Sequence, residues 1–103
     1  MKRPASSKRA ALPRAADFSA DFKKDWDRYN RAGRHDMNRI KEVMQLLIAA
    51  DRPLGPEWLD HALTGEYEGS RECHIGGDFL LIYELEKDVI TFSRLGTHAE
   101  LFR

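Results

Sequence analysis

The chain has 103 residues, 17 acidic and 17 basic side chains, and a hydrophobic fraction of 42%. That is room for one domain around one core. No apolar run approaches the roughly 18 residues that span a bilayer, so no membrane role is expected.

Charge is spread unevenly. Residues 1–14 hold Lys2, Arg3, Lys8, Arg9 and Arg14 with no acid, while residues 15–103 carry 12 basic and 17 acidic side chains, a net of −5. A basic tail on an acidic body argues against a strong free nucleic-acid binder. An RNA substrate would need a local cluster or a larger partner to hold it. The lone cysteine, Cys73, excludes an internal disulfide and fits a reducing cytoplasm.

Residues 1–12, MKRPASSKRAAL, have no hydrophobic period and read as a flexible basic leader. The folded domain is expected over 13–103. Leu12 to Asp17 is expected to form a short edge strand. Ser19 then caps a first helix, with Phe18, Phe22, Trp26 and Tyr29 on one stripe and Lys23, Lys24, Asp25, Asp27 and Arg28 on the other faces. Gly33 ends it, His35 is turn surface, and Asp36 caps a second helix with the stripe Met37, Ile40, Met44, Leu47 and Ile48. The two make a helical hairpin.

Asp51 to Ser70 contains Pro53, Gly55, Pro56, Gly65 and Gly69 and reads as a long loop, a kind of segment that often carries function. Arg71–Ile75, Phe79–Leu85 and Val89–Leu95 are strand-like, joined by turns at Gly76-Gly77 and Glu86-Lys87. The fold class expected is α+β: an edge strand, a helical hairpin, then a three-stranded antiparallel run in one small sheet.

The chemically able side chains crowd into this last part. His61, Arg71, His74, Asp78, Arg94 and His98 lie within 43 residues. Three imidazoles, two guanidiniums and a carboxylate suffice in kind for cleaving a phosphodiester without a metal. Histidine moves protons near neutral pH, and the planar fork of arginine matches phosphate oxygens. Each residue also has a plainer reading. His61 caps a turn, His74 is a satisfied core histidine, Asp78 shapes the turn after Gly76-Gly77, Arg94 is a solvated charge or a salt bridge, and Phe102 anchors the C-terminal end.

Four strings in order weigh against those plainer readings: Asp60-His61-Ala62-Leu63, Gly69-Ser70-Arg71-Glu72-Cys73-His74-Ile75, Asp78-Phe79-Leu80-Leu81-Ile82-Tyr83, and Arg94-Leu95-Gly96-Thr97-His98-Ala99-Glu100-Leu101-Phe102. Over residues 14–103 the chain resembles the YafQ branch of the RelE-like toxins, the ribonuclease halves of bacterial type II toxin–antitoxin pairs. The resemblance implies the same small α+β fold, entry into the A site of the 70S ribosome, mRNA cleavage there without a cofactor or metal, and a DinJ-like antitoxin. Matched by position, it implies a site of His61, His74, Asp78, His98 and Phe102.

On this reading His98 is the general acid, Asp78 or His74 the base, and His61 a phosphate ligand. Arg71 and Arg94 offset charge, and Phe79 and Phe102 stack on a base. The position of Phe79 is often Trp in the family. Three rivals stand beside it: a metal site of His61, His74, His98 and Asp78, a catalytically silent binding or repression module of the same fold, and a ribonuclease that needs no ribosome.

Overall fold

The computed structural model describes residues 12–50 and 52–102. Apart from Leu12, the expected leader lies outside the described residues. The elements are β1 (Ala15–Phe18), α1 (Ala20–Ala32), α2 (Met37–Ala49), β2 (His61–Ala62), β3 (Arg71–Gly76), β4 (Phe79–Glu86), β5 (Val89–Thr97) and α3 (His98–Phe102). They form one five-stranded sheet in the order β1-β5-β4-β3-β2, with β1 parallel to β5 and the other pairs antiparallel.

The helical hairpin forms where the caps place it. Ser19 Oγ accepts the Phe22 N–H at 2.9 Å, and Gly33 closes α1 at φ +68, where a glycine meets no Cβ penalty. Asp36 Oδ1 accepts the N–H groups of Asn38 and Arg39, which opens α2. Phe22, Tyr29, Ile40, Val43 and Leu47 then bury one face of the hairpin against Cys73, Ile75, Phe79, Leu81, Tyr83, Phe92 and Leu95 of the sheet. Each such side chain contributes about 1.5–3 kcal/mol by leaving water.

β4 is the central strand, and its alternation sorts the sheet into two faces. Phe79, Leu81 and Tyr83 point toward the hairpin, while Leu80 and Ile82 point the other way, where Leu101 of α3 covers them. The protein is therefore a sheet with α1 and α2 on one side and α3 on the other. No helix among the described residues is long and apolar enough to cross a membrane.

Four expectations change. The segment after α2 is not a structureless loop. It holds two 3₁₀ turns, Pro56–Trp58 and Gly65–Tyr67, and the two-residue strand β2. Its anchor is Trp58, 2% exposed, which is buried in the hairpin core with the Arg39 guanidinium 4.1 Å above its ring. Phe18 belongs to β1 rather than to the α1 stripe, and it packs on Phe22 and Phe92. Asp25, placed on a solvent face by helical spacing, is buried. Both hairpin turns also lie one residue later than expected, at Gly77-Asp78 and Lys87-Asp88.

Candidate functional site

The face covered by α3 carries the candidate site. On β3, Glu72 pairs with Ile82 and His74 with Leu80, so both side chains lie on that face. β2 brings His61 beside Glu72 in the neighbouring register position. The long segment before β3 thus acts as an arm that lays one more histidine along the sheet.

Glu72 is the hub. His74 Nε2 lies 3.1 Å from Glu72 Oε2, and His61 Nε2 lies 3.3 Å from the same oxygen. The two imidazole centroids are 6.2 Å apart. His61 Nδ1 is 3.0 Å from the carbonyl of Leu59, which can only accept, so Nδ1 carries the proton there. Nε2 then faces the carboxylate with a proton if the ring is charged, and with a lone pair if it is neutral.

Glu72 itself is 4% exposed, and its second oxygen, Oε1, has no hydrogen-bond partner. A buried acceptor left unpaired costs about 1–3 kcal/mol. It marks a place where a proton donor, or a cation, would be welcome.

Spacing alone did not single out Glu72. The available signal was its i, i+2 relation to His74 on a strand, which puts the two on one face.

His98 opens α3 at the same face and is exposed. Its backbone N–H donates to the carbonyl of Asp78 at 2.9 Å, so the β3–β4 turn fixes where the helix starts. The Phe102 ring lies 4.8 Å from that of His98, and Tyr67 meets Phe102 edge-on at 5.3 Å. Tyr67 also donates to the Leu101 carbonyl at 3.3 Å. Asp78 is an exposed turn residue.

Two expected site residues, Arg71 and Phe79, lie on the other face of the sheet. Arg71 pairs with Tyr83 across the sheet and so lies on the hairpin face, away from Glu72 and His74. There Nε and Nη2 grip Asp60 Oδ2 at 3.1 and 2.8 Å, and Tyr83 donates to the other Asp60 oxygen. The hydrogen bond to Asp60 raises the pKa of the Arg71 guanidinium, while burial, followed by the same carboxylate, pushes the Tyr83 phenol up. Arg71 is a neutralised structural cation on the wrong face to offset charge at the site.

Phe79 is also on the hairpin face, 2% exposed. His35 stacks on its ring at 3.9 Å and 3°, and Tyr29 closes on it edge-on at 4.8 Å. No face is left for a nucleobase, and His35 is a packing partner rather than turn surface.

Arg94 is held by Asp25, with Nε donating to Oδ2 at 2.8 Å and Nη2 to Oδ1 at 3.3 Å. That bond to Asp25 raises its pKa. Because Arg94 pairs with Ile82 across the sheet, it is an ion-paired, part-exposed cation on the same face as Glu72 and His74.

Among the described residues, His61, Glu72 and His74 also form a group able to hold a metal ion, with ligand atoms all within 4.8 Å of one another. Two imidazoles and a carboxylate suit zinc or copper. The expected quartet with His98 and Asp78 does not form that group. Glu72 takes the place of the acid.

Comparison with known proteins bears on the family and the fold. The family described as "Bacterial toxin of type II toxin-antitoxin system, YafQ" matches residues 14–103. The mRNA interferase toxin YafQ of Escherichia coli (strain K12) is 39% identical over 92 residues, covering 88% of this chain and 98% of that protein. A chain of the crystal structure of the E. coli DinJ-YafQ complex superposes with a TM-score of 0.80 at 38% identity, covering 87% of this chain and 99% of that one. A metal-bound toxin from Helicobacter pylori superposes at 0.77 with 35% identity, covering 86% and 99%.

Proposed function

Because the chain belongs to the YafQ family of bacterial type II toxins, we propose that it is an mRNA endoribonuclease that cuts in the ribosomal A site by metal-independent acid–base catalysis. A DinJ-like antitoxin holds it in check, and it acts in the cytoplasm, where ribosomes are. The E. coli relative, named an mRNA interferase toxin, supports the substrate class. The DinJ-YafQ complex supports the partner class. The programmed ribosome supplies the binding surface that an acidic body lacks.

The observation that carries the reading is the buried Glu72 carboxylate, which has two imidazoles on one oxygen and nothing on the other, on the face that also presents His98. In the reaction the mRNA 2′-hydroxyl gives its proton to His74 or Asp78, both open to solvent, and the 2′-oxygen attacks phosphorus. The bond from phosphorus to the 5′-oxygen breaks, and His98 protonates that leaving oxygen. A 2′,3′-cyclic phosphate remains.

His61, held on the same Glu72 oxygen as His74, faces the phosphate as negative charge builds there, a contribution of several kcal/mol where donors are preorganised. Phe102, packed against His98, offers a ring for a base. Glu72, buried with both imidazoles on one of its oxygens, orients His61 and His74. Asp78 also serves through its carbonyl, which holds His98.

The test is induction of wild type and His98→Ala, read by growth and by primer extension on translated messages. Wild type should halt growth and leave in-frame cuts, and His98→Ala should do neither. Intact mRNA after wild-type induction would turn the reading toward a silent binding module.

A further inference from the structure

A helix of five residues has no stability of its own, because the cost of nucleating a turn is not recovered over so short a length. α3 must be held from outside, and His98 is its first residue. Leu101 supplies apolar cover against Leu80 and Ile82, but such contacts leave the helix free to turn. Polar contacts set its orientation. Thr97 Oγ1 accepts the Glu100 N–H at 3.3 Å, and Glu100 Oε1 accepts the Thr97 N–H at 3.1 Å, a reciprocal capping box around His98. The other Glu100 oxygen accepts Arg28 Nη1, from α1, at 3.0 Å. Arg28 Nη2 in turn donates to Asp25 at 3.4 Å.

Asp25 is the buried end of this chain of charges, at 4% exposure. Carboxylates are rarely so buried unless paired. Besides gripping Arg94, its Oδ2 accepts the Leu95 N–H at 2.9 Å. β1 pairs with β5 only as far as Phe92, so no strand covers β5 at Leu95. A buried amide there would lack a partner, and Asp25 stands in for the missing strand. It anchors β5 three residues before His98, while Arg28 and Glu100 anchor α3 two residues after it.

We propose that Asp25 is a positioning residue for His98, acting with Arg28 and Glu100 as a charged strut from α1 that fixes where the histidine meets the scissile phosphate. The role rests on His98 being the acid of the reaction proposed above. Proton transfer needs heavy atoms about 2.6–3.2 Å apart, and a misplacement of about 1 Å costs on the order of 100-fold in rate. The outer link is exposed, with side-chain accessibilities of 51% for Arg28 and 36% for Glu100. Such pairs add little to stability, so cutting this one should loosen α3 and spare the fold.

The experiment is single-turnover cleavage on programmed ribosomes by wild type, Glu100→Ala, Glu100→Gln, Arg28→Ala, Asp25→Asn and His98→Ala, with Glu100→Ala also placed on the His98→Ala background. Glu100→Ala should lower the maximal rate constant about 10- to 100-fold, with half-saturation and melting temperature unchanged. Glu100→Gln keeps the capping box but turns an amide NH2 toward Arg28, so it should lose about as much as Arg28→Ala. On the His98→Ala background, Glu100→Ala should add nothing, as expected of residues acting through one group.

Wild-type rates in folded Glu100→Ala and Arg28→Ala would overturn the strut while leaving the acid assignment standing. So would a Glu100→Ala loss that persists undiminished without His98. Wild-type cleavage by His98→Ala would remove the acid assignment and the strut together. If Asp25→Asn does not fold, the two surface variants decide.

Discussion

Replacing Glu72 by Gln removes the charge while keeping the volume of a side chain that is 4% exposed. The amide can still contact His61 and His74, which lie 3.3 and 3.1 Å from Oε2, but it cannot hold either ring with a full negative charge. Letting a proton-transfer group drift by about 1 Å costs on the order of 100-fold in rate, roughly 3 kcal/mol in the barrier. Stability should move far less. The weakened contacts to two histidines, 53% and 27% exposed in their side chains, are offset because a neutral amide is cheaper to bury than a charge. The net should stay within about 1–2 kcal/mol, a shift in melting temperature of at most about 10–15 °C for a domain of this size. Single-turnover cleavage on programmed ribosomes, run beside a thermal melt, separates the two effects. A folded Glu72→Gln protein cutting within threefold of wild type would refute the role of Glu72 in orienting the two histidines.

Other outcomes follow from the same contacts. Arg71→Ala should destabilise by about 1–3 kcal/mol, since Asp60 keeps only Tyr83, and should leave the rate per folded molecule near wild type. Denaturant melts with activity normalised to folded protein check both. Chelators should leave cleavage unchanged, whereas added zinc or copper should inhibit it by filling His61, Glu72 and His74. Isothermal titration should show that inhibition tracking metal binding and both disappearing in His61→Ala.

Burial pushes the Cys73 thiol and the Tyr83 phenol well above their ordinary values of 9.0 and 10.0. The folded state thus keeps protons that the unfolded chain releases, and stability should be full below about pH 9 and fall as pH rises beyond it. Urea melts from pH 7 to 11 on wild type and Tyr83→Phe measure this, with the variant showing the shallower fall. For the same reason iodoacetamide should reach Cys73 only on unfolding, which mass spectrometry under native and denaturing conditions can follow.

What could be read in advance was whatever local chemistry decides. Ser19, Gly33 and Asp36 mark the hairpin because caps act on neighbouring amides, and the β3–β5 run shows in the apolar alternation of residues that pair in sequence order. The site histidines were legible through the four ordered strings. Long-range pairing was not. Asp25 has a surface residue's spacing, and its burial depends on an amide 70 positions away. Arg71 and Phe79 were given to the right strands, but which face each occupies follows from register, and register follows from the bulges near Gly76 and between Phe92 and Arg94. Glu72 was passed over because a Glu between Arg and Cys looks like any strand acid until His61 is seen to pair across from it.

The parallel pairing of β1 with β5 joins Ala15 to Val89, and that fixes an order of events for a chain being made. α1 has no sheet edge to lean on, and Asp25 no amide to accept from, until the segment carrying His98 has itself emerged. Contacts of such long sequence separation form slowly. A growing chain therefore cannot assemble the His98 end of the candidate site before β5 has followed the hairpin out.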